Sequence, residues 1–371
     1  MNPPIQTTLD LREKPRPQMS SPKTPALLSK GRIMRTIGLI IFIGFTGNII
    51  YVASQGTWTL ADLLQSVRAE YFLLALIMVL IPLFTHATRI MMWSRVFRCP
   101  VSFGEAFTAV MCNELGSAMT PTAVGGGYAK LYYLYRTGFT PAQATLTMLL
   151  GSIEDLAFVA TMVGTALYIS AGENNPALAT AIDNVLEQAP YLLLLIVVIG
   201  GGYLILRRWR SPKNAEDSLS ETTKDAPKKS LWERVRAFKD DFVGAVGFAI
   251  RHGRWTLLIN TVLSMIGWIC RYGSINAIMA GFGYPVEPLL FPLLNWSVFT
   301  VNNFVATPGG MGGAEAAFAL VMAGFIPIGM MSLVTFVWRF ATFYLALLIG
   351  AVVIAVRGIE FSGAKTFGSR K

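Results

Sequence analysis

Long apolar runs alternate with short polar and basic segments along most of this 371-residue chain. A helix rises 1.5 Å per residue, so about 20 apolar residues cross the hydrocarbon core of a bilayer, which is roughly 30 Å thick. Six runs are of about this length and predict spanning helices: Ile33–Ala53, Tyr71–Trp93, Ala142–Ser170, Pro190–Leu206, Trp255–Ala280 and Gly329–Val356. The pattern predicts an all-α polytopic membrane protein.

Two further apolar segments are each interrupted by a break rich in glycine and proline. Gly104–Met119 and Pro288–Ala306 lead into the breaks, and the apolar pieces that follow, Tyr128–Tyr135 and Ala314–Phe325, extend only roughly 12 to 18 Å as helices. Because these pieces are too short to span, we predict two re-entrant hairpins, at residues 104–137 and 288–325. Non-helical backbone in hydrocarbon leaves polar groups unpaired at several kcal/mol each, so both breaks are expected to lie against protein or a water-filled cavity.

The basic residues fall in the polar segments that this arrangement places on one side of the membrane. Lys and Arg accumulate in cytoplasmic loops, so both termini are expected in the cytoplasm. If either hairpin crossed the membrane once, the basic loops after it would face the wrong side. The predicted order is a disordered tail (1–32), a first membrane half (33–206), a basic loop (207–254), a second membrane half (255–357) and a second tail (358–371).

The basic loop contains an amphipathic segment at residues 231–246. Its apolar residues recur at helical spacing opposite basic ones: Leu231, Trp232, Val235, Phe238 and Phe242 against Arg234, Arg236 and Lys239. This pattern predicts a helix that lies in the membrane interface. A helix that binds a partner protein is the alternative, because its apolar face has the same periodicity.

The two breaks resemble each other. Thr120–Gly126 and Thr307–Gly313 share Thr, Pro and two Gly residues at the same internal spacing. One predicted hairpin enters from the cytoplasm and the other from outside, so the two halves are expected to have inverted topology. Inverted repeats with broken helices are typical of transporters, whose substrate site lies near the midplane between the halves. A chance recurrence is the alternative, since Gly and Pro are common in membrane helices.

Several charged residues fall within the apolar segments. An ionised residue at the centre of a spanning helix costs roughly 2.5 to 3.5 kcal/mol unless it is paired or hydrated. We therefore expect a shared polar cavity in which Arg339 and Arg271 face the acidic residues Glu154, Asp155, Glu114 and Glu315. Arg339 with Glu154 is the first pair to examine, and Asp155 is the expected bystander, because adjacent helix residues point about 100° apart. Static salt bridges between helices are the alternative.

These charges suggest an anionic headgroup as substrate. Guanidinium groups bind phosphate with a fork of donors, and a glycine-rich turn that opens a helix offers N–H groups. The expected substrate-binding residues are Arg339, Arg271, Glu154, Glu315, Glu114, Lys130, Gly125, Gly126, Gly309, Gly310, Gly312 and Gly313. His86 beside Arg89 suggests a proton relay, with a structural role as the alternative.

Composition limits the remaining classes of function. Hydrophobic residues make up 53% of the chain and charged residues 14%, so the polar surface is too small for a soluble globule of this size. The net charge of +10 suggests nucleic-acid binding less than contact with anionic lipids, because the basic residues lie between apolar runs. Cys99, Cys112 and Cys270 lack metal-ligand spacing, and we expect no metal, no cofactor and no catalytic site. The alternative is a catalytic carboxylate in the membrane, at Glu154 or Glu315.

Residues 85–357 resemble the transmembrane region of lysylphosphatidylglycerol synthases, which is the flippase-like domain of the multiple peptide resistance factor and its stand-alone relatives. The resemblance rests on Thr120–Pro121, Gly125–Lys130, Thr307–Ala317, and Trp338–Phe340 with Phe343, Tyr344 and Gly350. The chain departs from the family pattern at Gly127, Lys130 and Ala314, where members often carry an acidic residue, an arginine and an arginine. These departures leave the headgroup preference open.

The resemblance implies translocation of a phospholipid or polyprenyl-phosphate-type lipid across a bacterial or archaeal inner membrane. It also implies that the synthase activity is absent, because the family's aminoacyl-transferase domain follows this region and the chain ends at Lys371. Membrane lipids are the expected partners. The alternative function is a membrane protein without a transport cycle that organises enzymes of lipid or envelope biosynthesis through its basic loop.

Overall fold

The computed structural model describes residues 68–120, 123–172, 231–302, 305 and 307–357, together with a few isolated positions between 35 and 47. The predicted span Pro190–Leu206, nearly all of Ile33–Ala53, both tails and the linker before residue 231 lie outside the described residues. Within the described part, all regular secondary structure is helical. The prediction of an all-helical chain is confirmed for these residues.

The described chain contains ten α-helices, a 3₁₀ turn and a π-helical turn. In chain order they are α1 (Ala69–Val96), α2 (Phe103–Met119), α3 (Val124–Arg136), α4 (Pro141–Gly172), α5 (Leu231–His252), α6 (Arg254–Gly281), α7 (Leu290–Asn302), the 3₁₀ turn Pro308–Gly310, α8 (Gly313–Met322), α9 (Ile328–Arg339), the π-helical turn Phe340–Tyr344 and α10 (Leu345–Arg357).

Three of the described helices are long and apolar enough to cross a membrane. They are α1, residues Pro141–Ile169 of α4, and the continuous stretch Ile328–Arg357, which joins α9, the π-helical turn and α10. These correspond to three of the predicted spans. Helix α6 contains a fourth, Trp255–Ala280, and its 28 residues would extend about 42 Å. Helix α6 is more polar than these three spans, because it includes Asn260, Ser264 and Arg271.

Helices α1 and α6 form the most extensive contact between described elements. Small residues allow their backbones to approach, as is common in membrane helix pairs. A Cβ added at Gly267 of α6 would lie 2.7 Å from Oγ1 of Thr85 and 3.5 Å from Cα of Pro82, both in α1. This pair joins the two halves of the chain.

Each of the two predicted hairpins contains two packed helices separated by a break. At 1.5 Å per residue, α3 is about 20 Å long and α8 about 15 Å, both shorter than the hydrocarbon core. In the first pair, α2 and α3 meet through glycine, since a Cβ at Gly116 would lie 2.8 Å from the carbonyl oxygen of Gly125. Helix α2 begins with a capping box between Ser102 and Glu105.

Helix α5 (Leu231–His252) includes the predicted amphipathic segment and continues beyond it to His252. Val243 and Ala249 are buried, and Phe242 and Val246 pack against the apolar cluster that contains Trp93 and other residues of α1, α2 and α4. Part of the apolar face of α5 is therefore covered by the protein's own helices.

Two large apolar clusters hold the described helices together. The first is built from α1 to α5 and is also contacted by Val353 of α10. The second is built mainly from α6 to α9 and includes Ala75 of α1. Each half therefore contributes side chains to the core of the other.

Candidate functional site

The break at Thr307–Gly313 is organised around the side chain of Arg339. Gly309, Gly310 and Gly312 have φ values of 64°, 65° and 83°, a left-handed conformation that favours glycine. Arg339, at the end of α9, is only 2% exposed. Its Nη2 donates hydrogen bonds to the carbonyl oxygens of Gly309 (3.2 Å) and Gly310 (3.1 Å). The guanidinium group thus satisfies two carbonyls that the broken helix leaves without intrahelical donors.

Glu315 completes this arrangement from the first turn of α8. Its Oε1 accepts a hydrogen bond from Nε of Arg339 at 2.8 Å, and its Oε2 accepts from Nη2 of Arg339 at 3.2 Å. The same Oε2 accepts from the backbone N–H of Gly312 at 2.8 Å. One carboxylate therefore neutralises the buried arginine and caps the helix that follows the break.

This geometry corrects the role expected of the second glycine-rich turn. The N–H of Gly310 donates to the carbonyl of Thr307 at 2.9 Å, and that of Gly312 donates to Glu315. These two N–H groups are used within the chain and are not free for an anion. The glycines also make room for neighbouring side chains, because a Cβ at Gly309 would contact the ring of Phe343 and one at Gly310 would overlap the amide of Asn302.

The first glycine-rich turn is also satisfied locally. Oγ1 of Thr120 accepts from the N–H of Gly125 at 2.9 Å and donates to the carbonyl of Gly116 at 2.9 Å. A Cβ at Gly126 would lie 2.5 Å from the carbonyl oxygen of Asn113 in α2. In this structure Gly125 and Gly126 therefore serve close helix packing, and Gly125 does not offer the free N–H that was expected.

A second buried ion pair joins α1 to α4. Nε of Arg89 donates to Oε2 of Glu154 at 2.7 Å, and Nη2 donates to the carbonyl of Gly151 at 2.8 Å. Oε1 of Glu154 accepts from Nε1 of Trp93 at 2.6 Å and from Nδ2 of Asn260 at 3.2 Å. Glu154 is 1% exposed and Arg89 is 5% exposed. Three helices, α1, α4 and α6, therefore meet at one carboxylate.

Arg339 pairs with Glu315, one of the four acidic residues predicted to face it, and the pair to be examined first, Arg339 with Glu154, does not form in this structure. Glu154 is paired with Arg89 and Arg339 with Glu315, so the charges form two sites where one shared cavity was predicted. Arg89 was named from the sequence only as the neighbour of His86, and it was not predicted to pair with Glu154. The available signal was its position four residues before Trp93, which puts both donors on the same face of α1.

Asp155 is also a participant, contrary to the bystander role predicted. Nη2 of Arg89 lies 2.8 Å from its Oδ1, and Oγ of Ser264 donates to the same oxygen at 2.5 Å. The rotation of about 100° between adjacent helix residues is real. A guanidinium group is wide enough to bridge it, because its donors point in several directions.

Two cations near this pair have no carboxylate within 4 Å among the described residues: Arg271 and Lys130. The guanidinium of Arg271 lies 5.1 Å from the ring centroid of Phe299. Lys130 is partly buried and within electrostatic range of Arg89, Asp155, Glu154 and Glu114. Glu114 likewise has no ion-pair partner in the described part of the chain.

His86 lies where these charges converge. The charged groups of Arg89, Asp155, Lys130 and Arg271, on α1, α4, α3 and α6, are all within electrostatic range of its ring. Its Nε2 is buried, and within the described residues it has no hydrogen-bond partner.

A column of aromatic side chains connects the two ion-pair sites. Successive ring centroids lie 4.5 to 5.6 Å apart along His86, Trp268, Tyr272, Phe299, Trp338 and Phe318. Asn295 of α7 braces this column, since it donates to the carbonyl of Tyr272 and accepts from Nε1 of Trp338, both at 3.0 Å. Asn295 is not among the residues predicted from the sequence.

A cavity of about 640 Å³ lies beside the first hairpin, between α2, α3, the start of α4 and α10. Its lining is almost entirely apolar and includes Leu115, Tyr128, Tyr132, Tyr135, Ala144 and Ile354. Lys130 is adjacent in sequence to two further lining residues, Ala129 and Leu131. The described residues contain no group of three His, Cys, Asp or Glu side chains that could hold a metal ion.

Comparison with known proteins agrees with a membrane protein. A curated relative, a UPF0104 membrane protein of Archaeoglobus fulgidus, is 20% identical over 328 residues, which cover 86% of this chain and 95% of the relative. The family model described as the lysylphosphatidylglycerol synthase TM region matches residues 35–350. This chain therefore belongs to the lysylphosphatidylglycerol synthase transmembrane-region family of membrane proteins.

Proposed function

We propose that this protein moves a lipid with an anionic or zwitterionic headgroup between the leaflets of a bacterial or archaeal inner membrane. In this proposal the termini are cytoplasmic, α2–α3 and α7–α8 are re-entrant hairpins, and the two halves are inverted repeats. Family membership and the long apolar helices support the membrane setting. The observation that carries the function is the presence near His86 of two partly buried cations, Arg271 and Lys130, that have no ion-pair partner among the described residues.

The geometry favours Arg271 and Lys130 as the groups that hold the headgroup phosphate. A cation inside a membrane protein is costly unless it is paired, hydrated or bound to a ligand. Arg339 and Arg89 already have carboxylates at 2.7 to 2.8 Å, whereas Arg271 and Lys130 have none within 4 Å among the residues described. Arg339 and Glu315 therefore take the structural role of holding the second break.

The acidic and polar residues near these cations have different roles in this proposal. The carboxylates of Glu154 and Asp155 fix Arg89 between α1 and α4, and Asn260 and Ser264 tie both of them to α6. Glu114 is the group available for the cationic part of a zwitterionic headgroup. Polar residues inside a bundle that face one another across separate helices are typical of transport pathways.

Reconstituted vesicles that carry a leaflet-specific lipid reporter test this proposal. We expect Arg271→Met and Lys130→Met each to reduce lipid movement at least tenfold, because each removes a cation from the pathway. Arg251→Met, which removes a cation from the exposed side of α5, is the matched control and should leave the rate unchanged. Normal rates in both Arg271→Met and Lys130→Met would refute the assignment.

The alternative function, organisation of lipid or envelope biosynthesis enzymes, finds support in the outward side of α5. Arg236 and Phe238 are exposed there, while Val243 and Ala249 face the protein. A double substitution, Arg236→Ser with Phe238→Ser, changes this side without removing the helix. Loss of a cellular phenotype with normal lipid movement in vesicles favours the partner function. Loss of both favours transport.

A further inference from the structure

Polar side chains line one side of α6 where this helix packs against α1. Four of them recur at helical spacing and so share that side: Asn260, Ser264, Trp268 and Arg271. On the facing side of α1, His86 and Arg89 also lie at helical spacing. His86 and Trp268 have no role in the proposed function, and of these two only His86 can carry a charge.

Contacts between the two helices determine where His86 lies. Its ring packs edge-on against that of Trp268, with the ring centroids 5.5 Å apart. The residues that precede these two approach closely as well, since a Cβ added at Gly267 would lie 2.7 Å from Oγ1 of Thr85. His86 is therefore held within the contact between α1 and α6, beside a close approach of their backbones.

Charged groups from four helices are within electrostatic range of the His86 ring: Arg89 of α1, Lys130 of α3, Asp155 of α4 and Arg271 of α6. Around them, Glu154 of α4 pairs with Arg89, and Glu114 of α2 is in range of Lys130. The π-helical turn also packs on α1 and contains no charged residue. A positively charged His86 ring would therefore be repelled by three of the four groups nearest to it and attracted by one.

An anion at Lys130 and Arg271 changes this balance. A phosphodiester bound to these two cations brings a negative charge that offsets theirs, so a positively charged His86 ring gains a counter-charge. Histidine is the side chain whose charge ordinarily changes between about pH 5 and 8, so modest changes in its surroundings alter its charge near neutral pH. Anion and proton therefore favour each other's binding, and this coupling is reciprocal.

We propose that His86 binds a proton together with each anionic headgroup and releases it when the headgroup leaves. The proposal rests on the proposed function and names its coupling ion. The proton comes from water, adds to the ring nitrogen that carries the lone pair, and returns to water on the other side of the membrane. One proton and one phosphodiester have no net charge together, so the loaded site moves no additional charge through the hydrocarbon.

Histidine-selective NMR tests the proton site without requiring transport. The chain contains two histidines, and the second, His252, is exposed at the end of α5. His252→Gln therefore leaves His86 as the sole histidine, and a carbon label at its Cε1 reports whether the ring is protonated. In maltoside micelles, which contain no phosphate, saturating dimethyl phosphate at about pH 6.5 should shift this signal to the imidazolium position. An unchanged signal would overturn the proposal.

Vesicles with a pH difference across the membrane test the coupling to lipid movement. The full-length protein is reconstituted with an anionic lipid reporter, and valinomycin with equal potassium on both sides removes the membrane potential. Movement toward the less acidic side should exceed the reverse by a factor of about five or more, after subtraction of the movement in protein-free vesicles. His86→Gln should abolish this difference, and the matched control His252→Gln should keep it. A full difference in His86→Gln would overturn the proposal.

The two measurements separate this inference from the proposed function. Lipid movement by the unaltered protein that does not respond to the pH difference would refute proton coupling alone. Protonation of His86 by dimethyl phosphate without any lipid movement would refute transport and support the proton site. If His86→Gln fails to fold, the spectrum of His252→Gln remains decisive, because that variant retains His86.

Discussion

The clearest test of the two-site arrangement compares the same substitution at two arginines. Arg339→Met removes a guanidinium that is 2% exposed and bonds Glu315, Gly309 and Gly310. Arg271→Met removes one that has no carboxylate within 4 Å in the described part of the chain and packs on Phe299. The change in side-chain chemistry is identical, so any difference in stability reports the surroundings.

The expected magnitudes follow from these contacts. Removing one partner of a buried ion pair costs roughly 3 to 5 kcal/mol, because the other charge is left buried and uncompensated. The two carbonyls of the break also lose their donor, at about 1 to 3 kcal/mol for each group that stays unsatisfied. Loss of the cation–π contact at Arg271 costs only about 0.5 to 1 kcal/mol. We therefore expect a large destabilisation in Arg339→Met and a small one in Arg271→Met.

Thermal unfolding of the purified variants, followed by tryptophan fluorescence, measures this difference. The Tm of Arg339→Met should fall by on the order of 10 °C and that of Arg271→Met by no more than about 2 °C. Arg339→Met combined with Glu315→Leu should recover part of the loss, because the uncompensated carboxylate is gone. Equal losses at the two arginines, or no recovery in the double variant, would refute the structural role of Arg339.

Three further predictions concern backbone, packing and thiol chemistry. Ala123→Gly should raise the free energy of unfolding by roughly 0.5 to 1 kcal/mol, because φ is 57° at this position, a left-handed conformation that favours glycine. The control Ala129→Gly, inside α3, should lower the free energy of unfolding by a similar amount. Gly267→Ala should destabilise the α1–α6 contact by about 1 to 3 kcal/mol. Gly164→Ala is the control and should be neutral or slightly stabilising, because a Cβ at Gly164 meets nothing within 4 Å. Equal Tm values for the two variants would contradict this packing. Burial raises the pKa of the Cys99 thiol to about 11, so the thiol stays protonated at neutral pH. The rate of its alkylation by iodoacetamide, measured by mass spectrometry, should therefore increase with pH up to about pH 11. A rate that levels off by pH 9 would contradict this pKa.

The helices and the breaks were predictable because they follow from local patterns. The length of an apolar run determines whether a helix can span, and glycine and proline mark where it stops. The structure places α1, α4 and Ile328–Arg357 where the apolar runs predicted spans. The described helix α5 also includes the residues of the amphipathic pattern. These features depend on residues close together in the chain.

The charge pairs could not be predicted from the same patterns. Periodicity shows that Glu154 lies within a helix, but its partners Arg89 and Asn260 are 65 and 106 residues away in sequence. Their meeting depends on which helices are neighbours, above all on the contact between α1 and α6. The order of charges along the sequence does not contain that information.

The orientation of the backbone at the second break could not be predicted from the sequence either. A glycine-rich turn predicts a departure from helical geometry, and it does not specify whether carbonyls or N–H groups point inward. Positive φ values at Gly309 and Gly310 accompany the inward carbonyls that accept from Arg339. The turn therefore accepts a cation from its own chain where an anion site was expected.

The π-helical turn Phe340–Tyr344 has a consequence for how relatives of this protein are aligned. Such a turn contains one residue more than an α-helix needs for the same rotation, which is equivalent to an insertion. A helical wheel drawn without interruption through Ile328–Arg357 therefore misplaces the residues of α10 by about 100° relative to Arg339. Relatives that lack the extra residue would need a one-residue gap within this turn before their buried positions correspond.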